Sequence, residues 1–283
     1  MPLAPGEFNP GQSGIQLDFQ CGIEPLDPIS NGLIHKAMLS AAASPGKGVD
    51  GRLGPATKYV EVEQMGMRFR DRAEAGRRLA EGLPQLRERP GTIVLGLARG
   101  GVPVAAAAAA ELYLPFGALL VRKLGIPGRG ETAFGALAWS QGDVLRMVNR
   151  PLKELILAHG ISQSALDAVE ARERAELIRR AQSYPGIDHD LRGKTVVLAD
   201  DGLATGATMR AAVEAVRAEG AATVIAAVPV ASLEASTSLA RACDFVMALH
   251  TPGKFHAVGA FYERFEQLSD SDVVGQLEGH GTN

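Results

Sequence analysis

Thr195-Val196-Val197-Leu198-Ala199-Asp200-Asp201-Gly202-Leu203-Ala204-Thr205-Gly206-Ala207-Thr208 opens as an apolar run and closes in a turn of small and hydroxylated residues. A run without polar alternation suits a strand buried on both faces, as in a parallel sheet. A helix is expected directly after it, over 208–219. Working outward, similar apolar runs occupy 92–98, 116–121, 223–230 and 245–249, with helical patterns at 104–112 and 233–242 between them. Alternation of this kind predicts an α/β fold, a mostly parallel twisted sheet flanked by helices. Residues 134–139 and 144–148 read as a hairpin-like pair, 70–86 as an amphipathic helix, and 152–182 as a mainly helical insert. Ligands of such sheets bind beyond the carboxyl ends of the strands, so the residues after each strand are the first candidates for function.

The turn after 195–199 suits a sugar phosphate. Glycines let backbone approach an anion, and N–H groups at a helix start point toward it. Thr205 and Thr208 add hydroxyl donors. Carboxylates aimed at a phosphate would repel it, so Asp200 and Asp201 make sense as acceptors for the hydroxyls of a sugar that carries the phosphate. Segment 196–208 resembles, without a gap, the signature of the type I phosphoribosyltransferases: apolar residues, two acids, then a glycine-threonine loop. The resemblance implies a type I phosphoribosyltransferase-like fold with a C-terminal hood. It implies that Asp200 and Asp201 hold the ribose hydroxyls of phosphoribosyl pyrophosphate. It also implies that Gly202, Leu203, Ala204, Thr205, Gly206, Ala207 and Thr208 wrap the 5-phosphate.

Two further segments fit the same donor. Arg99-Gly100-Gly101 follows the strand at 92–98 and is similar to the family's pyrophosphate loop. Arg122 and Lys123 end the expected strand at 116–121 and precede a glycine-rich stretch, 124–131, expected to be mobile. In the family a basic pair here meets the leaving pyrophosphate, which makes Lys123 a catalytic candidate beside the two acids, and Arg129 and Glu131 candidates within a closing loop. The family's hood receives the acceptor, often a base stacked on an aromatic ring, and Phe255 and Tyr262 are the rings considered for it. The implied reaction is transfer of ribose 5-phosphate to a nitrogenous base or similar acceptor. Mg2+ would be carried by the donor, with no direct protein ligand. The alternative is a regulatory protein that senses the donor without chemistry.

Composition narrows the classes. With 46% hydrophobic and 22% charged residues the chain is ordinary globular protein, and its net charge of -3 gives no basic field for a nucleic-acid backbone. Two cysteines, Cys21 and Cys243, lack metal-ligand spacing and fit a reducing cytoplasm. Residues 102–121 are apolar but are interrupted by Pro103, Glu111, Pro115 and Gly117, which argues against a membrane span. No signal-peptide pattern opens the chain. Residues 1–66 are rich in Pro, Gly, Ser and Ala and are expected to form a poorly ordered extension, with at most a short helix at 29–43, before a phosphoribosyltransferase-like domain over 67–283. Arg192-Gly193-Lys194-Thr195 matches the end of a P-loop, but Asp188 stands where that motif needs glycine and a strand follows instead of a helix. The charged run 170–180 reads as a solvated helix face with pairs such as Glu170 with Arg174. The insert at 152–182 suits either a cover for the site or a homodimer interface.

Overall fold

The computed structural model describes residues 59–61 and 68–279. The extension expected over 1–66, with its short helix at 29–43, lies outside the described residues, except that Tyr59–Glu61 form strand β1. After it come helix α1 (Arg72–Glu81), β2 (Thr92–Leu97), α2 (Gly101–Leu112), β3 (Phe116–Leu119), β4 (Val121–Ile126), β5 (Arg129–Ser140) and β6 (Asp143–Val148). The chain continues through α3 (Arg150–Ala158), α4 (Gln163–Ser183), β7 (Thr195–Ala199), α5 (Ala207–Ala218), β8 (Thr223–Val230), α6 (Leu233–Leu239), β9 (Phe245–His250) and α7 (Asp270–Gly279). The helix expected over 70–86 ends at Glu81, because Pro84 cannot continue the ladder and a 3-10 turn, Pro84–Leu86, takes its place.

The main sheet runs β1-β9-β8-β7-β2-β3, and every pairing in it is parallel. All five positions of β7 and all eight of β8 are buried. Strand periodicity sends alternate residues to opposite faces. Ile93, Leu95, Val196 and Leu198 pack with α5 residues such as Met209 and Val213, while Val94 and Val197 pack with Val104, Ala108 and Leu79 on the other face. A second, antiparallel sheet, β4-β5-β6, carries a third core against α3, α4 and α7, which includes Leu124, Phe134, Leu137, Leu166, Leu177 and Val273. The insert is two helices, capped by Asn149 and Ser162. No helix among the described residues is long and apolar enough to cross a membrane.

One packing detail gives a pH dependence away from the site. Burial pushes the Glu219 carboxyl from an ordinary 4.5 up to about 7, opposed by a hydrogen bond with Ser140 and reinforced by Asp188. The folded chain therefore holds a proton there that the unfolded chain releases, and stability falls as pH climbs from about 4.5 to about 7. Glu219→Gln is expected to remove that part of the slope. Urea unfolding at about pH 5 and about pH 7.5 checks this, and an unchanged slope would refute it.

Candidate active site

The turn after β7 is held by backbone. Leu203 N donates to Val230 O at 2.8 Å, Ser232 N donates to Leu203 O at 2.9 Å, and Ser232 Oγ donates to Ala204 O at 2.8 Å. Leu203 is buried and anchors the turn on β8, whereas Ala204 and Thr205 are exposed. Gly206 then takes φ +72, a left-handed conformation that costs glycine little, and α5 begins.

Asp200 and Asp201 stand side by side at the strand end. Asp200 Oδ1 accepts from Asp201 N at 2.9 Å. Burial and the neighbouring Asp201 charge push the Asp200 carboxyl well above the usual carboxylate range. Burial also raises Asp201, but Arg72 opposes it with a 2.9 Å ion pair to Oδ2. The Tyr262 hydroxyl donates to Asp201 O at 2.7 Å and steadies the backbone beneath the pair.

The turn at Ala98–Gly101 packs directly on these acids. A Cβ at Gly100 would collide with the Asp201 carboxylate, and one at Gly101 would stand 2.9 Å from Asp200 Cα and closer still to Ala199 O. Glycine at both positions is what lets the two turns touch. The Ala98–Arg99 peptide bond is cis. The helices that start at these turns differ from the rest. Asp71, Asn149, Ser162 and Ser232 cap α1, α3, α4 and α6 with side-chain oxygens, and Ser269 Oγ accepts from Asp272 N at α7. By contrast α2 and α5 begin at Gly100 and Gly206 with no side-chain cap, apart from a long 3.5 Å approach of Thr205 Oγ1 to Ala207 N. No side chain caps the backbone N–H groups at these two starts, although in α2 Val102 N donates to Arg99 O and Pro103 carries no N–H.

A cleft of about 580 Å3 joins part of the expected set: Arg122, Lys123 and Thr208 line it, together with Ala98, Gly125–Gly128, Val169, Arg172 and Glu173. Arg122 and Lys123 do not end a strand as expected. The chain leaves β3 at Leu119, and Val121 starts β4, which pairs with β5 rather than with the main sheet. The stretch 124–131, expected as a mobile loop, is a β-hairpin around Pro127-Gly128, with register shifts beside Gly125. Arg129 and Glu131 lie on β5, and their side chains are outside the described residues. The charged face of α4 is not simply solvated: Glu173 accepts from Arg122 Nε at 2.8 Å, and Glu170 from Arg146 at 2.6 Å. Arg172 donates to the same Glu173 at 3.1 Å. The sequence carries no signal for these pairings, because they join segments 51 and 24 residues apart.

The two aromatic candidates part company. Tyr262 is only 1% exposed, packed with Phe69 and Phe265 at centroid distances of 5.5 and 4.9 Å. A ring so enclosed presents no face to an acceptor, which corrects its expected role. Phe255 is half-buried beyond β9, 5.7 Å from the Phe261 ring. A second cleft, of about 290 Å3, opens beside Asp201 and is lined by Arg72, Arg99, Gly100 and Phe265–Leu268. Its ring is Phe265, and neither expected aromatic lines it. Sequence reading missed Arg72, which belongs to no motif. The hood is also not C-terminal alone: Phe69 N donates to Phe261 O and Glu263 N to Phe69 O, each at 2.8 Å, so residues 68–72 are part of it.

Comparison with known proteins agrees with this architecture. A family model, the phosphoribosyl transferase domain, matches residues 70–260. A Mycobacterium tuberculosis protein named "Putative phosphoribosyl transferase" is 43% identical over 212 residues, which cover 74% of this chain and 46% of the relative. The chain thus spans about half the length of the curated relatives it matches. The crystal structure of TT1426 from Thermus thermophilus is 42% identical, covers 75% of this chain and 98% of its own, and superposes with a TM-score of 0.63. With the acid-glycine turn after β7, the glycine turn packed on it and the matching family model together, the chain belongs to the phosphoribosyl transferase domain family.

Proposed function

We propose that this protein transfers the ribose 5-phosphate unit of phosphoribosyl pyrophosphate to a nitrogenous base or similar acceptor. The observation that carries the reading is the contact of the glycine-opened start of α2 with the paired acids Asp200 and Asp201, which lead into a second glycine-opened helix start at α5, both without side-chain caps. Two anion sites on either side of two hydroxyl-binding acids match a donor with a phosphate at one end and a pyrophosphate at the other. In this reading the α5 start and Thr205 receive the 5-phosphate. Asp200 and Asp201 accept from the ribose hydroxyls, and Arg99, the Gly100 and Gly101 amides, Arg122 and Lys123 receive the pyrophosphate.

The bond from ribose C1 to the pyrophosphate oxygen breaks with its electron pair leaving on the pyrophosphate, and a bond from C1 to the acceptor nitrogen forms. The nitrogen then loses its proton to solvent. Positive charge grows on the ribose and negative charge on the leaving group, so fixed charges on each side lower the barrier. Mg2+ keeps most of its waters and is bound through substrate phosphates, and when present it would neutralise the pyrophosphate oxygens. The residues here suit a cation that arrives on the donor, since the cleft is lined by guanidinium and ammonium groups with Glu173 as its acidic residue. A phosphorylated donor does not cross membranes unaided, so the reading carries a cytoplasmic location with it. The insert supplies Val169, Arg172 and Glu173 to the cleft wall, in keeping with a cover for the site, and a homodimer contact through it is the other reading.

Glu173 pairs with Arg122 through Nε and Nη2 and so competes with a pyrophosphate for its charge. Glu173→Gln is therefore expected to tighten pyrophosphate binding by about 2–5-fold, the scale of a partly exposed ion pair. Calorimetric titration with Mg2+ and pyrophosphate measures it, and weaker binding would show that Glu173 orients Arg122 instead.

The function itself is tested by incubating the full chain with Mg2+, phosphoribosyl pyrophosphate and a panel of bases while detecting released pyrophosphate. Donor binding without turnover on any acceptor would favour the regulatory, donor-sensing reading. Failure to bind the donor would refute both.

A further inference from the structure

Arg72 stands in the first turn of α1, outside every segment that the donor signature covers. A cation at that end of a helix is opposed by the macrodipole. Something else must hold it there, and three contacts do. Its Nε donates to Asp201 Oδ2 at 2.9 Å, Nη1 donates to Glu266 O at 3.0 Å, and its guanidinium carbon lies 3.9 Å from the centre of the Phe265 ring. The side chain is 11% exposed and that of Asp201 is 16% exposed. An arginine is otherwise a mobile side chain, and here one planar group is clamped between α1, the C-terminal segment and the donor turn.

Asp201 needs such a partner. Asp200 lies beside it with a second carboxyl, and the Tyr262 hydroxyl facing it from the C-terminal segment donates to its backbone oxygen, not to its carboxylate. Arg99 lines the same cleft, but Arg72 is the cation in contact with the carboxylate. A carboxylate has about four lone-pair positions on its two oxygens. One bond to the guanidinium sets the plane of the group and leaves lone pairs for sugar hydroxyls.

We propose that Arg72 is a positioning residue of the transfer reaction, acting through Asp201 by fixing its carboxylate for the ribose hydroxyls. This rests on the donor-site reading given above. The Phe265 ring and the Glu266 carbonyl serve the same end by holding the guanidinium, so the hood orients an acid of the donor turn.

The test is a double-mutant cycle on the full chain, with calorimetric affinity for Mg2+ and phosphoribosyl pyrophosphate as the readout and thermal melting as the fold control. Arg72→Gln is expected to weaken donor binding by about 10–100-fold, the range for losing a charged hydrogen-bond contact. In the Asp201→Asn background the same change is expected to cost less than about 2-fold, because the carboxylate it orients is already gone. Arg72→Lys should recover part of the loss, since an ammonium can pair with Asp201 but cannot also match the planar stack on Phe265. If the two single losses multiply in the double variant, Arg72 does not act through Asp201 and the proposal is overturned. Wild-type binding that is unchanged in Arg72→Gln also overturns it while leaving the donor site intact. No donor binding by the wild type overturns the donor-site reading and this inference together.

Discussion

The Asp200→Asn, Asp201→Asn double variant is expected to bind Mg2+ and phosphoribosyl pyrophosphate about 100- to 10,000-fold more weakly than the wild type. A hydrogen bond to a charged group contributes about 1.5–3 kcal/mol, and two are removed. Each ~1.4 kcal/mol is tenfold in affinity. The fold should survive. An amide has the shape of a carboxylate, Asn Oδ1 can still accept the backbone bond that Asp200 takes from Asp201 N, and the Tyr262 hydroxyl binds backbone only. Burial and like charge push the Asp200 carboxyl upward, so its removal relieves a repulsion, whereas loss of the Asp201 charge costs the Arg72 ion pair, and the melting temperature is expected to fall modestly while unfolding stays cooperative. Calorimetry and thermal melting on one preparation decide it. Retained donor affinity would mean that the acids serve only to shape the turn.

Gly101→Ala is expected to unsettle the protein itself. The new Cβ would stand 2.9 Å from Asp200 Cα and closer to Ala199 O, and both are backbone atoms in the middle of the sheet edge. Backbone cannot swing aside as a side chain can, so the two turns must separate. Overpacking of this kind costs ~1–3 kcal/mol, sometimes more. At about 2–4 °C per kcal/mol for a domain of this size, the loss is readable in a melting curve. Gly100→Ala makes a contrasting control. There the Cβ meets the Asp201 carboxylate, which can rotate away. That movement breaks the Arg72 ion pair, so the variant should lose less stability than Gly101→Ala and should also lose donor binding. Equal stability for Gly101→Ala and the wild type would mean that the contact between the turns is loose.

The parallel sheet was legible because its strands are buried on both faces and so appear as unbroken apolar runs. The runs expected at 195–199 and 223–230 are the strands Thr195–Ala199 and Thr223–Val230, and the helix expected at 208–219 is Ala207–Ala218. The turn after β7 was legible for a related reason. Asp200 through Thr208 are contiguous, so a local motif contains its whole geometry. Legibility failed where a side chain's surroundings come from elsewhere in the chain. Tyr262 looked like an accessible ring, but its environment is made by Phe69, 193 positions earlier, whose backbone bonds with residues 261 and 263. Arg122 and Lys123 looked like a strand end because Phe116 to Val121 is one apolar run. The change of sheet at Leu120 leaves no mark in composition.

The sequence by itself determined the alternation of strands and helices, the acid-glycine turn after β7 and the family, since each is written in contiguous residues with a period or a motif. Only the tertiary structure decided that Arg72 meets Asp201 across 129 positions, that Glu173 of the insert occupies Arg122, and that the hood draws on residues 68–72. Ion pairs and hydrogen bonds act over a few ångströms in space, whereas sequence patterns report neighbours along the chain. Contacts between distant segments exist only once the apolar runs have been buried and the sheet has set where the turns lie.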